Sequence, residues 1–189
     1  MIILIGGEKG GTGKTTIATN LASMRSLHGF DCLLLDADKQ HTSTYWSSIR
    51  NEEKDITHKI ISLQKTGDLR NDVIKLSEKF DDIIIDSNGH DSIEFRSSLL
   101  VADIFLSPIR PCQFDIWTLR KIDDHLKKSK LLNQKLKSYI LINQVSFQPS
   151  SKFNEIESMK EFIKDFPELN LLDSFIVGRK SYRTAAVEG

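Results

Sequence analysis

From Gly6 to Thr16 the chain reads Gly-Gly-Glu-Lys-Gly-Gly-Thr-Gly-Lys-Thr-Thr, with an apolar run before it and an amphipathic segment after it. Glycines allow successive backbone N–H groups to turn toward one anion, and a helix opening at the end of such a loop adds its dipole to the same point. Gly10, Gly11, Thr12, Gly13, Lys14, Thr15 and Thr16 are therefore expected to cradle the phosphates of ATP. Lys14 is placed to reach the β- and γ-phosphates and the Thr15 hydroxyl to ligate Mg²⁺. A ligand-free glycine-rich turn is the plainer alternative. The spacing G-x-x-x-x-G-K-[ST] is not met, because Glu8 stands at its first glycine, and a second lysine, Lys9, precedes the glycines.

Further acids follow apolar runs. Asp36 and Asp38, with Gln40 two residues on, come after Leu33-Leu34-Leu35, where carboxylates can hold Mg²⁺ through water or orient a water in line with the γ-phosphate. A capping or solvated pair is the alternative. Asp86 closes Ile83-Ile84-Ile85 and is expected at the Mg²⁺ hydration shell. Asn143 closes Ile140-Leu141-Ile142 and carries both the donor and the acceptor that an adenine edge requires, although a strand-end asparagine also suits a turn. His90 reads as an exposed loop residue, Asp91 or Ser92 as the cap of a helix, Asp115 as the N-cap of a later one, and Trp46 as packing.

These residues need a scaffold that brings distant loops to one edge. Runs apolar at every position recur at 2–5, 32–35, 83–85, 104–106 and 139–142, with a weaker one at 171–176, as expected of strands buried on both faces. Segments with helical spacing separate them, at 14–27, 69–80, 93–101, 116–131 and 152–166, and another helix is expected to open near Ser43. The alternation predicts an α/β fold: a mainly parallel sheet flanked by helices on both faces. Ligands in such sheets bind beyond the carboxyl ends of the strands, where the loops above lie.

The segment Lys9-Gly10-Gly11-Thr12-Gly13-Lys14-Thr15-Thr16 resembles the deviant Walker A loop of the ParA/MinD family of P-loop ATPases, and the likeness extends from Ile2 to Glu188. It implies that Lys9 reaches across a homodimer to the phosphates held by the other subunit, making Lys9, Lys14 and Asp38 the catalytic set. Asp38 would position the hydrolytic water, Thr15, Asp86 and Asp38 would serve Mg²⁺, and Asn143 would meet the base. Lys39 stands where the family's D-x-D-P-Q segment has proline, and Ser87-Asn88-Gly89 replaces T-P-P after Asp86, as in the small plasmid-partition branch. Pro108 and Pro111 resemble the family's "P-x-x-P…D" segment, with Asp115 as its acid. Without the dimer role, Lys9 is a solvated loop lysine.

The resemblance further implies a slow ATPase whose loaded dimer grips DNA without sequence preference, a centromere-binding partner protein, and a cytoplasmic, nucleoid-associated location. Arg179, Lys180 and Arg183 are the expected DNA contacts, against a solvated-turn reading and against competition from Lys127-Lys128-Ser129-Lys130. No C-terminal amphipathic helix of the membrane-attaching kind is present in the sequence, so no membrane partner is expected. A metabolic enzyme of the same superfamily and a nucleotide-controlled positioning scaffold are the alternatives.

The bulk numbers set limits. A chain of 189 residues, 39% hydrophobic and 28% charged, is expected to fold as a single domain spanning 1–189. Lysine plus arginine equals aspartate plus glutamate, at 26 each, so any attraction to nucleic acid must come from a local patch. The two cysteines, Cys32 and Cys112, show no paired spacing and point to a reduced compartment. Neither lies where a nitrogenase-type reductase would need a cluster ligand.

Overall fold

In a computed structural model, which describes residues 1–53, 56–182 and 184, strands and helices alternate. They run β1 (Ile2–Ile5), α1 (Lys14–Leu27), β2 (Cys32–Asp36), α2 (Thr42–Glu52), β3 (Ile61–Gln64), α3 (Arg70–Ser77) and β4 (Asp82–Asp86). The second half continues as α4 (Ile93–Leu99), β5 (Ile104–Ile109), α5 (Gln113–Lys130), β6 (Lys137–Val145), α6 (Pro149–Ile163) and β7 (Asn170–Val177). One seven-stranded sheet results, in the order β3-β2-β4-β1-β5-β6-β7, with every neighbouring pair parallel.

Side-chain alternation along β1 divides the core. Ile2 and Leu4 enter a large cluster with Leu69, the N-cap of α3, and Val73 within it, Phe95 and Leu99 of α4, Leu119 and Ile122 of α5, and Met159 and Ile163 of α6. Ile3 and Ile5 face the other way, to Ala18 and Ala22 of α1, with Ile17, Leu21 and Trp46 packed beside them. Helices α1 and α2 therefore cover one face and α3 to α6 the other. The strand order gives the reason: β1→β2→β3 step toward one edge and β3→β4→β5→β6→β7 toward the other, so right-handed crossovers put their helices on opposite faces.

Several elements depart from the sequence expectation: α3 stops at Ser77 and α6 runs three residues earlier than expected, from Pro149 to Ile163. Strand β3 lacks an unbroken apolar run because it lies at the sheet edge, with Ile61 and Leu63 largely exposed. Helix α5 begins at Gln113, not Ile116, and its N-cap is Cys112 rather than Asp115. Ser92 caps α4 as expected, its hydroxyl accepting from the Phe95 N–H. Trp46 packs against the second core cluster.

Candidate functional site

The loop between β1 and α1 takes the conformations its glycines allow. Gly11 and Gly13 have φ of 75° and 94°, and Gly13 is the N-cap of α1. Lys14 therefore occupies the first turn, where the amides have no intrahelical acceptors and face outward to an anion. The Lys14 side chain is buried and its Nζ donates to the Lys9 carbonyl oxygen at 2.7 Å. Burial lowers the Lys14 ammonium from its ordinary value, against the pull of Asp86, Asp38 and Asp115. A cation held partly desolvated at the mouth of a turn of N–H groups suits a multiply charged anion.

The loop is clasped from two sides. From β6, Asn143 Nδ2 donates to Thr12 O at 2.7 Å and Gln144 Nε2 to Gly11 O at 3.1 Å. From the loop after β4, Gly89 packs so closely that a Cβ there would lie 2.8 Å from Lys9 C and from Gly10 N. Asn143 Oδ1 accepts the Gln144 N–H at 2.9 Å, so one donor and the acceptor of this amide are occupied by backbone. Asn143 thus acts as a strap on the loop. Gln144 and Gly89 were absent from the sequence-derived set. The first lies near the end of β6 in a left-handed conformation (φ 58°) and the second in a polar loop, so neither carries a motif of its own.

The acids divide by environment. Asp36 is fully buried, with Oδ1 accepting the Asp38 N–H at 3.1 Å and Oδ2 the Thr44 N–H at 2.9 Å, so it shapes the loop after β2 rather than facing a ligand. Asp38 is partly exposed, and its Oδ1 accepts the Gln40 N–H at 3.0 Å. Asp86 is 1% exposed, and neither carboxylate oxygen has a hydrogen bond of good geometry. Burial pushes its carboxyl up to about 7. The hydroxyls of Thr15 and Ser43 and the Lys14 ammonium oppose that rise, and Asp36 adds to it.

A buried carboxylate with only the Thr15 and Ser43 hydroxyls loosely beside it is a donor set that fits Mg²⁺ sharing its shell with water and phosphate oxygens. It does not fit an all-protein metal cage: among the described residues no group of three or more His, Cys, Asp or Glu side chains could hold a metal. The hydroxyls of Thr12, Ser43, Thr44 and Ser107 and Asn88 Oδ1 are also buried without partners. Buried polar atoms are normally satisfied, so such a concentration marks a surface that a polar ligand completes.

Lys9 does not point into its own loop. Its Nζ lies 2.6 Å from Oδ1 of Asp115 in the first turn of α5. Asp115 is 0% exposed and also receives Arg110 through Nε, through a terminal guanidinium nitrogen and through the backbone N–H, at 3.1, 3.1 and 3.0 Å. Burial alone would raise its carboxyl, but Arg110 and Lys9 hold it well below the usual carboxylate range. Its expected capping role is thereby corrected: the carboxylate is the anchor of two cations.

The expected DNA contacts are less gathered. Arg179 and Lys180 are exposed beyond β7, while Arg183 lies outside the described residues. In the competing run, Lys127 pairs with Asp123 at 2.6 Å and Lys130 with Glu168 at 2.9 Å. His90 is exposed, as expected. No helix among the described residues is long and apolar enough to cross a membrane.

A parallel α/β sheet with a lysine-bearing glycine loop after its first strand defines a nucleotide-binding protein of the P-loop kind. The chain belongs to the CobQ/CobB/MinD/ParA nucleotide binding domain family, whose model matches residues 3–189. It is 27% identical over 183 residues to the maintenance of carboxysome distribution protein A of Halothiobacillus neapolitanus, covering 96% of this chain and 81% of that protein. Among solved structures it resembles the cobyrinic acid a,c-diamide synthase of Mycobacterium smegmatis with bound ADP and magnesium. That match has a TM-score of 0.78 and 17% identity, and covers 99% of this chain and 89% of the other. It also resembles a plasmid partition protein of Borrelia burgdorferi, with a TM-score of 0.68 and 19% identity over 98% of this chain and 96% of the other.

Proposed function

We propose that this chain is a ParA-like, Mg²⁺-dependent ATPase that dimerises across ATP, binds DNA without sequence preference when loaded, and segregates or positions a DNA cargo. The observation that carries the reading is the direction of the two loop lysines. Lys14 remains in the loop on the Lys9 carbonyl, whereas the Lys9 ammonium points outward to α5 and is one-third exposed. A lysine so placed can serve phosphates held by a second copy, which its own loop does not require.

In this mechanism the amides of Gly10 to Thr16 bind the phosphates and Lys14 offsets charge on the β- and γ-oxygens. Asp38 orients the attacking water from the loop that Asp36 shapes, and Lys9 from the second copy completes the charge around the γ-phosphate. Asp86 and Thr15 would hold Mg²⁺, which supplies charge neutralisation on the phosphate oxygens. Asn143 keeps the loop in register through Thr12 O and would meet the base with its remaining N–H. Repeated across a dimer, Arg179 and Lys180, together with Arg183, supply phosphate contacts of the salt-sensitive kind. A centromere-binding partner protein would stimulate turnover, in a cytoplasmic and nucleoid-associated setting.

The test is fluorescence anisotropy of a random-sequence duplex with ATP, ADP or no nucleotide at two salt concentrations. ATP-dependent, salt-sensitive and sequence-indifferent binding is expected; an absence of binding in every state removes the DNA-partition reading. A second reading is favoured by the relative named for carboxysome distribution: the same ATP-driven dimer positioning a protein assembly. It is distinguished by capture of the ATP-loaded dimer on that assembly instead of on a DNA locus.

A further inference from the structure

One carboxylate of the phosphate loop is buried but loosely paired. Glu8 stands where the strict loop pattern has its first glycine; its side chain is only 8% exposed, and its Oε1 has no hydrogen-bond partner. Two basic groups approach it from successive turns of α5, Lys121 Nζ and His125 Nε2, each at 3.9 Å. The Lys121 side chain is 74% exposed, so water screens its charge. His125 is less exposed, and packing fixes its place: the ring meets Phe95 edge-on with centroids 5.8 Å apart, and Phe95 lies so close to Gly6 that a Cβ there would be 2.8 Å from the ring.

The same Nε2 lies 3.5 Å from Oδ1 of Asp91, in the loop after β4. Asp91 is already paired with Arg96, which, more than His125 or Lys121, holds its carboxyl below the ordinary value. Glu8, Asp91, Arg96 and Lys121 are thus the charged groups around this imidazole. One ring nitrogen stands between acids from the two loops that shape the phosphate site. Glu8 adjoins Lys9, and Asp91 follows Gly89, which packs on the backbone of Lys9 and Gly10. Histidine gains and loses its charge near neutral pH, whereas lysine and arginine keep theirs. With the ring neutral, one N–H serves one acid at most, and Glu8 stays buried with a weak counter-charge. With the ring charged, Nε2 carries a proton and attracts both carboxylates, and closure to hydrogen-bond range takes a shift of about 1 Å.

We propose that His125 and Glu8 form a proton-controlled clasp, a pair of positioning residues that draws the phosphate loop onto α5 and onto the loop after β4 when the imidazole is charged. The clasp fixes the 6–8 end of the loop, as Asn143 and Gln144 fix the 11–12 end. A loop held at both ends before nucleotide arrives loses less freedom on binding it, so nucleotide affinity rises as pH falls and the ring gains its proton. The inference rests on the reading of this loop as the nucleotide site, and is independent of dimerisation and of DNA.

The test uses the full chain with Mg²⁺ and the fluorescent nucleotide mant-ADP, which has no γ-phosphate and so keeps ATP-bridged dimers out of the measurement. The dissociation constant is read at about pH 6 and about pH 8.5, and the ratio of the second to the first is compared between chains. Asp86 titrates in the same interval but contributes alike to every chain. The parent ratio should exceed that of His125→Gln and that of Glu8→Gln by roughly three- to tenfold, and the double variant should go no lower than either single one. Lys121→Gln removes a cation that is charged at both pH values and should keep the parent ratio. A merely structural role would change the dissociation constant by one factor at both pH values. Ratios in His125→Gln and Glu8→Gln equal to the parent's therefore overturn the clasp, as does a Lys121→Gln ratio as low as theirs. If one of the two variants does not fold, the ratio of the other decides. If the parent chain binds no mant-ADP at either pH, the nucleotide-site reading fails and takes the clasp with it.

Discussion

Asn143 Nδ2 donates to the carbonyl oxygen of Thr12 at 2.7 Å, and a Cβ on the adjoining Gly13 would stand 2.3 Å from the same nitrogen. The end of β6 and the phosphate loop, 131 residues apart in sequence, thus fit together only with an amide on one side and a glycine on the other. That fit makes the loop's shape a property of the sheet and not of the loop alone.

Asn143→Ala should leave the Thr12 carbonyl without its partner and free the loop to relax. A cost of about 1–2 kcal/mol is expected, read as roughly tenfold weaker ATP binding by calorimetry, with a smaller loss of thermal stability. Unchanged affinity would show that the strap does not shape the bound loop.

Gly89→Ala forces a methyl group against the backbone of Lys9 and Gly10. Backbone cannot yield as a flexible side chain can, so a loss of about 1–3 kcal/mol in stability is expected, together with weakened nucleotide binding. Thermal and chemical unfolding of the variant, without nucleotide, check this directly.

Asp86 predicts an unusual pH dependence. Its carboxyl ionises near 3.8 in the unfolded chain and at about 7 in the folded one, chiefly through burial, so the folded chain binds the proton more tightly. Its penalty is absent below pH 4, grows as pH rises from about 4 to about 7, and is complete above that. In chelator, without nucleotide, stability should therefore fall by a few kcal/mol over this range. Asp86→Asn should remove that slope; parallel curves for the two proteins would refute the assignment.

The two thiols should behave differently. Burial, aided by Asp82, pushes Cys32 up to about 12, whereas Cys112 is partly exposed at the head of α5. Alkylation of the native chain at pH 8 should modify Cys112 alone, and both cysteines should react once the chain is denatured. Rapid labelling of Cys32 in the native state would contradict the packing of β2.

Much of this was legible in the residues themselves. Strands buried on both faces need unbroken apolar runs, and β1, β2, β4, β5 and β6 announce themselves in that way. The glycine loop is equally explicit, because positive φ at Gly11 and Gly13 and a lysine in the first helical turn are local requirements written in local residues. Strand β3 was not legible. Its partner β2 lies on one side only, and an exposed edge has no need of continuous apolar side chains.

Roles that depend on a neighbour from elsewhere could not be read at all. Asp36 and Asp38 share one motif, yet the fold buries the first between the Asp38 and Thr44 amides and leaves the second open. Asp115 has the sequence position of a cap, but Arg110 and Lys9 converge on it and make it an ion-pair centre.

By itself, then, the sequence determined the parallel architecture, the phosphate loop and the acids at the strand ends, since hydrophobic period and glycine conformation act over a few residues. Only the tertiary structure decided which carboxylate lacks partners, which amide clasps the loop, and where the ammonium of Lys9 rests. Electrostatic and hydrogen-bonding roles are set by what lies within a few ångströms in space, and the crossovers of the sheet bring those neighbours together from separations of up to 133 residues.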